Sequence, residues 1–409
     1  MSKKKTDKKK SPYPENGKVR IRHSYYTFAR EFPSKIMPLE GKRRKHRKKR
    51  ILKNILTGFF FIILMLFSYF TVNLMLDISY TDKEKLDSES ETTLTDTQEN
   101  EPTDPQLSFN GENIKALYMS AERLGDREYI GKFIKEIKRK NCNTVLIDFK
   151  NSEGKLSYTS LNENAITAHA FLFDNDTIRK ALDLFEEKDI RVIARIYCFK
   201  DNAVASTVPS LAVKYMNTDV NWVDSSSEKG GNRLNPLSAD ARKYIISIIK
   251  EVTQFKINGV LLEEVSFPSG ENAKNASYPG EKKNSSKHKT LLSFMDDVKK
   301  ALPENCILLM GHSAKDVLEP NSELYAGSVL TCAADGFAVD TLQRPENVII
   351  DKKTDYASVF SLFSTLKNNI GEKKAVFTVD ISEYSASFVR KMQRAGYTDF
   401  IIYSSEGVY

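Results

Sequence analysis

The chain has 409 residues, 62 Lys and Arg against 54 Asp and Glu, 40% hydrophobic residues and four cysteines. That length allows two or three domains, or one large barrel with appendages, and the apolar fraction excludes wholesale disorder. Four cysteines without a Cys-x-x-Cys pair exclude a disulfide scaffold and a structural zinc site, and the formal net charge of +8 proves to be segregated.

From Met1 to Lys53 there are 20 Lys or Arg and four Asp or Glu, leaving 42 basic and 50 acidic residues for the rest. The basicity therefore belongs to a tail, residues 1–53, of a composition that stays disordered. Its densest cluster, GKRRKHRKKR (Gly41–Arg50), abuts Ile55–Leu76, a run of 22 residues with five Phe and no formal charge. At 1.5 Å per residue such a helix crosses a hydrocarbon core about 30 Å thick, which predicts a transmembrane helix at 54–77. The run is too long and too far from the N-terminus for a cleaved signal peptide, and no Ala-x-Ala-like site follows it. It reads as an uncleaved, single-pass signal anchor in the cell membrane. The flanking basic cluster keeps the N-terminus cytoplasmic and puts the bulk of the chain outside the cell. The expected partners of this part are the lipid bilayer, through residues 55–76, and anionic lipid headgroups, through the basic tail, at roughly 1 kcal/mol per basic residue near the surface. Nucleic acid is the weaker alternative for a lysine-rich arm. Residues 78–113, taken with Asp77, hold 11 acids and two lysines. They cannot bury enough surface to fold, and self-repulsion extends them into an acidic stalk.

From Ile114 the pattern changes to short apolar runs alternating with amphipathic stretches. The runs are IKALYMS (114–120), TVLIDFK (144–150), RVIARIYC (191–198), NGVLLEEVSF (258–267), CILLMGH (306–312), DGFAVDTL (335–342), KAVFTVDI (374–381) and TDFIIYS (398–404). Helices are predicted near 127–140, 176–188, 238–255, 287–302, 355–368 and 384–395. Near-continuous apolar strands separated by helices mark a parallel sheet buried on both faces. Eight such units over 114–409 predict an α/β fold of the (β/α)8, or TIM-barrel, type. A doubly wound open sheet is the alternative, but no glycine fingerprint follows the first strand. Five residues remain after the eighth run, so the usual closing helix is absent or replaced. The cysteines at 142, 198, 306 and 332 read as buried small hydrophobes.

Barrels of this type keep their chemistry at the C-terminal ends of the strands. Those ends carry Asp148 and Lys150, Arg195 and Tyr197, Glu263 and Glu264, His312, Asp340, Asp380 and Tyr403. Carboxylates ringed by hydrogen-bonding groups, with Trp222 nearby, fit a carbohydrate site. Glycoside hydrolysis needs two carboxyl groups flanking the scissile bond. Glu263 or Glu264 after the fourth strand and Asp380 after the seventh are the candidates, expected to face each other across the barrel mouth. Adjacent strand residues point to opposite faces, so only one of the two glutamates is expected inside. Asp148 and Lys150 share a face and are expected either to line the pocket or to neutralise each other. No metal or cofactor constellation stands out.

Four blocks carry a resemblance. VLIDFKNSEGKLSY (145–158), IRVIARIYCFKDNAVASTVPSLAV (190–213), RLNPLS (233–238) and INGVLLEEVSFPSG (257–270) are similar, in order and spacing, to bacterial glycoside hydrolase barrels of largely uncharacterised function, themselves distantly similar to alpha-amylase-type barrels. The resemblance runs from about residue 114 to 400. It implies a TIM-barrel glycosidase, exported or anchored at the membrane. Asp148, Lys150, Arg195, Lys200, Asp201, Asn235 and Pro236 match the family pattern. The family's fourth-strand block reads like F-D-Y-I-R-F-P. Here its acid maps to Glu263, its tyrosine to Glu264 and its arginine to Ser266.

Two functions compete. The first is a membrane-anchored glycoside hydrolase acting on a cell-envelope or exogenous polysaccharide. In it Glu263 and Asp380 are the catalytic pair, Glu264 is a further catalytic candidate, and Asp148, Lys150, Arg195, Tyr197, Trp222, Asn235, His312, Asp340 and Tyr403 bind substrate. The second is a non-catalytic barrel that binds envelope glycan as a scaffold or receptor, favoured by the altered fourth-strand block.

Overall fold

The structure is a computed structural model that describes residues 109, 111–224, 231–281, 286–319, 324–328, 330–341, 343, 356–380 and 387–403. The chain divides into two compact units, Met1–Glu99 and Asn100–Tyr409, and every described residue belongs to the second. The expected basic tail, the span at 54–77 and the stalk as far as residue 108 lie outside the described residues. Among the described residues no helix is long and apolar enough to cross a membrane.

Ten strands are described: β1 (Lys115–Met119), β2 (Thr144–Lys150), β3 (Arg191–Tyr197), β4 (Lys214–Tyr215), β5 (Gly259–Glu263), β6 (Ala276–Ser277), β7 (Ile307–Ser313), β8 (Gly336–Asp340), β9 (Lys374–Asp380) and β10 (Phe400–Tyr403). Eight of them close into a parallel barrel in the order β1-β10-β9-β8-β7-β5-β3-β2. The eight predicted runs are these eight strands. Pairing of β1 with β10, Lys115 opposite Phe400, completes the ring. At the end of the segment expected as stalk, Phe109 is already buried in the barrel's inner cluster.

The apolar runs are continuous because each strand is covered on both sides. β2, for instance, is buried at all seven positions. The inner cluster takes one residue from each strand: Ala116, Leu146, Ile193, Leu261, Leu309, Ala338, Val376 and Ile401. Residues one position away join the outer cluster and pack against the helices. Those helices are α1 (Arg127–Arg139), α2 (Glu163–Thr167), α3 (Asn175–Glu186), α4 (Asn202–Thr207), α5 (Ala239–Val252), α6 (Lys287–Ala301), α7 (Ala314–Leu318), α8 (Tyr356–Ile370) and α9 (Phe388–Arg394). The starts of α1, α3, α5 and α6 are fixed by Asp126, Asp174, Ser238 and Ser286, whose side chains accept from a backbone N–H of the first turn.

Two strands were not foreseen. β4, in the β3–β5 connection, pairs antiparallel with β6, in the β5–β7 connection, Lys214 opposite Ser277. At two residues each they are too short for an alternation signal to register. Three of the four cysteines are buried as expected; Cys142 is only half-buried.

Candidate active site

The cavity follows from the period of two. Moving two residues up from the inner ring leads from Ala116 to Tyr118, Leu146 to Asp148, Ile193 to Arg195, Leu261 to Glu263, Leu309 to Gly311, Ala338 to Asp340, Val376 to Thr378 and Ile401 to Tyr403. All of these except Asp148 line a cavity of about 840 Å3, and Tyr197, Ser313 and Asp380 line it one step higher. That size suits a small ligand or a few sugar rings.

Its floor is a charged pair caged by phenols. Arg195 Nη2 donates to Asp148 Oδ2 at 3.0 Å and Nε to Oδ1, a forked pairing that fixes the guanidinium plane. Nη1 donates to the Tyr403 hydroxyl at 3.0 Å, and Tyr118 donates its own to Asp148 Oδ2 at 2.8 Å. The guanidinium carbon lies 4.5 Å from the Tyr118 ring centre, 5.3 Å from Tyr197 and 5.5 Å from Tyr403. Burial pushes the phenols of Tyr118 and Tyr403 well above the usual range and Tyr197 up to about 12, so all three stay neutral donors. Asp148 lies beneath Arg195, which shields it from the cavity.

Glu263 ends β5 inside the barrel. Its neighbour on β7 is Gly311, where any Cβ would collide with the Glu263 carboxylate. The glycine makes the space this carboxyl occupies. Burial is the largest influence on the group and, with the charges of Glu264, Asp340 and Asp148, outweighs the opposing pull of Arg195, so its pKa is raised to about 7.

Glu264 follows at φ +54°, in the left-handed region. The strand stops alternating there, and Glu264 lines the same cavity as Glu263. The expectation that only one of the two faces inward is thereby corrected. Its Oε2 accepts from Arg233 Nη2 at 2.9 Å and from Ser266 Oγ at 3.3 Å, and Lys200 Nζ lies 4.0 Å from Oε1. Burial works against ionisation, but Arg233, Lys200 and Ser266 together hold the Glu264 pKa below the usual carboxylate range. Two consecutive carboxyl groups thus share a cavity with their proton affinities driven apart, the pattern that separates acid from anion.

Asp340 and Asp380 line the cavity on β8 and β9. In the ring β5 and β9 are three strands apart, with β7 and β8 between them, and the strand facing β5 is β10. Glu263 and Asp380 are therefore oblique to one another and not diametrically opposed. His312 alternates off the inner ring but still lines the cavity, and its ring packs on Phe337 at 5.5 Å between centres. It also lies 3.0 Å, through Nδ1, from the Tyr325 hydroxyl. Burial lowers it to about 3, which keeps it neutral, and its Nε2 has no partner among the described residues.

Three expected substrate contacts are elsewhere. Lys150 is fully buried because the β2–β3 register shifts between Asp148 and Lys150. It pairs with Asp201 at 2.9 Å and donates to the Tyr197 carbonyl at 2.7 Å, so it neutralises Asp201 and not Asp148. Trp222 is fully buried and donates through Nε1 to the Asn272 carbonyl at 3.0 Å. Asn235 bridges a turn, donating to the Pro279 carbonyl at 3.0 Å and accepting from Leu237 N at 2.9 Å. Sequence reasoning missed Tyr118, Gly311, Arg233 and Tyr325. A glycine inside an apolar strand was a usable signal for Gly311, and two residues beyond Ala116 would have found Tyr118. Arg233 and Tyr325 come from connecting segments that carry no periodicity. Among the described residues no group of three or more His, Cys, Asp or Glu is placed to hold a metal ion.

Comparison with known proteins gives a family-model match over part of the chain and distant structural similarities. No curated protein matches the chain. A crystal structure of a hypothetical protein from Ruminiclostridium thermocellum is 26% identical, over 47% of this chain and 96% of that one, with a TM-score of 0.42. The exo beta-N-acetylglucosaminidase from Vibrio harveyi is 12% identical, over 65% of this chain and 41% of that one, with a TM-score of 0.44. The glycoside hydrolase domain of PelA from Pseudomonas aeruginosa is 11% identical, over 73% and 96%, with a TM-score of 0.40. Residues 116–311, from β1 into β7 and including both glutamates and Gly311, match the model of the family described as "Putative glycosyl hydrolase domain", the kind of family that the motifs of this sequence resemble.

Proposed function

We propose that the barrel is a glycoside hydrolase in which Glu263 is the general acid. The observation that carries this reading is the divergence of two consecutive carboxyl groups in one cavity. A proton donor to a glycosidic oxygen must hold its proton near neutral pH, and Glu263, raised to about 7, does so. Protonation of the leaving oxygen by Glu263 lets the C–O bond break as positive charge grows on the ring. Asp380 supplies the second carboxylate at the reacting carbon, and water adds its hydroxyl to that carbon while its proton passes to the carboxylates and resets the pair. Glu264, kept anionic by Arg233, accepts hydrogen bonds from sugar hydroxyls, and Arg195 with Tyr118, Tyr197 and Tyr403 donates to them from the floor. The chain carries this domain outside the membrane on the 54–77 anchor, where the substrate is an envelope or exogenous polysaccharide.

The test is hydrolysis of a polysaccharide panel by the purified full chain, with Glu263→Gln and Asp380→Asn in parallel. Activity lost in both variants while their melting temperatures hold supports the pair. Loss in Glu263→Gln alone keeps the acid and removes Asp380. A glycan bound equally by all three proteins, with nothing cleaved, replaces the reading by a non-catalytic glycan receptor.

A further inference from the structure

Beside the central cavity lies a second one of about 620 Å3, lined by Phe267, Pro268, Gly270, Lys274, Tyr278 and Lys287 among others. The two share a wall. Ser266 and Ser269 line the central cavity, while Phe267, Pro268 and Gly270 line the second. The segment after the wall, residues 272–279, is tied to the β3–β5 connection. Trp222 Nε1 donates to the Asn272 carbonyl, Asn272 Nδ2 donates to the Val223 carbonyl at 2.9 Å, and Asn235 Nδ2 holds the Pro279 carbonyl. The β4–β6 pairing fixes the strand just before Tyr278. Trp222 and Asn235 thus tie down the 272–279 segment, which carries Lys274 and Tyr278, and line neither cavity themselves.

The polar side chains that line the second cavity, Lys274, Tyr278 and Lys287, are all hydrogen-bond donors, and none is acidic. Lys287 Nζ sits 4.2 Å from the Tyr278 ring centre and 5.4 Å from that of Phe267, which positions the ammonium without neutralising it. Among the described residues neither Lys274 nor Lys287 pairs with a carboxylate. Tyr278 is over nine-tenths buried, its ring edge-on to Phe267 at 5.4 Å, and its hydroxyl has no partner among the described residues. Burial raises that phenol to about 12, so it is a donor as well. The exposed carboxylate of Glu281 is near Tyr278 but does not line the cavity. The central cavity has the opposite balance: Asp224, Glu263, Glu264, Asp316, Asp340 and Asp380 outnumber Arg195, Lys200 and Arg233.

We infer that the second cavity is an anion subsite, taking a carboxylate or phosphate borne by the glycan beyond the sugar seated at Glu263. This rests on the reading of the central cavity as a glycan site and adds the substrate class: an acidic polysaccharide whose charge is kept off the ring being processed. The acid-rich centre repels an anion, and Lys274, Lys287 and Tyr278 receive it on the other side of the 266–270 wall.

The experiment is calorimetric titration of the detergent-purified full chain with three probes: a galacturonate hexamer, a glycerol-phosphate hexamer and neutral cellohexaose. The variants are Lys274→Gln with Lys287→Gln, Lys274→Arg with Lys287→Arg, and Glu263→Gln. At least one anionic hexamer is expected to bind more tightly than cellohexaose, and added salt to weaken it. The double Gln variant should bind it about tenfold more weakly, the worth of one lost charge-assisted contact, and the double Arg variant as the wild type does. Which hexamer responds distinguishes carboxylate from phosphate. If neither anionic hexamer outbinds cellohexaose, or if the double Gln variant binds as the wild type, the subsite is overturned. Hydrolysis separates the two readings. Binding that depends on the lysines but cleavage that survives Glu263→Gln removes the acid and leaves the subsite. Cleavage that requires Glu263 with no preference for anionic hexamers does the reverse.

Discussion

At the scale of a residue, Glu263 links stability to chemistry through one proton. Burial and the neighbouring Glu264, Asp340 and Asp148 raise it to about 7, so the folded chain holds a proton that the unfolded chain releases at the ordinary carboxylate value. Stability from this group is therefore fully present below that ordinary value and is lost as pH rises through about 7. Glu263→Gln keeps the neutral shape at every pH. Its melting temperature should match the wild type in buffer more acidic than the ordinary carboxylate value and exceed it increasingly as pH rises to about 7 and beyond; equal melting at both ends would mean that Glu263 is not perturbed. The same proton serves the proposed reaction, so wild-type kcat/KM should fall on the alkaline side near pH 7, and Glu263→Gln should cost about 100- to 10,000-fold. Gly311 is the complementary probe, because any side chain there meets the Glu263 carboxylate. Gly311→Ala should displace that carboxyl toward solvent and move the alkaline limb of the rate profile to lower pH. Overpacking there should cost roughly 1–3 kcal/mol of stability, read by denaturant titration. An unchanged limb in a folded Gly311→Ala protein would show that the glycine does not shape the acid's environment.

At the scale of elements, a few buried polar contacts tie the connections to the barrel. Lys150 reaches from β2 to Asp201, which caps α4, accepts from Val204 N at 2.9 Å and takes a 3.2 Å hydrogen bond from Tyr244 of α5. Removing one member leaves the other charged and buried, so Asp201→Ala should destabilise the fold by about 3–5 kcal/mol. A loss under 1 kcal/mol in a denaturant titration would mean that water enters and solvates Lys150. This tie also shows where the sequence stopped being legible. Strand number, order and inward face followed from apolar runs and the period of two, because burial on both faces of a closed sheet leaves little freedom. Part of the cavity followed in turn, because Arg195, Tyr197, Glu263, Asp340, Asp380 and Tyr403 stand two or four positions beyond the inner ring. What failed was irregularity. A register shift at the end of β2 took Lys150 out of the expected series, and a left-handed residue brought Glu264 into it. Trp222 and Asn235 failed differently. Both sit in a connection, where residue type suggested sugar contact and only tertiary packing revealed a brace.

At the scale of the whole molecule, charge is sorted along the chain and each block asks for a different surrounding. The tail holds 20 basic residues in its first 53, whereas residues 114–409 hold 40 basic and 39 acidic, close to neutral. A near-neutral domain does not gather an acidic polymer by its overall field, so an anionic glycan must be recognised by a local cluster such as Lys274 and Lys287. The tail would oppose that role if both lay in one compartment, since it would compete for the same polymer. In the topology we propose, the uncharged run at 55–76 spans the membrane and sets the basic block on the cytoplasmic side and the barrel outside, which removes the conflict. Alkaline carbonate washing of membranes from cells expressing the full chain should leave it in the pellet. Protease added to intact protoplasts should digest the barrel and spare a fragment that carries residues 1–53. A chain released by the wash would not be anchored by the run. A barrel that survives the protease while the tail is cut would invert the orientation and place the site among cytoplasmic substrates, where an envelope glycan could not reach it.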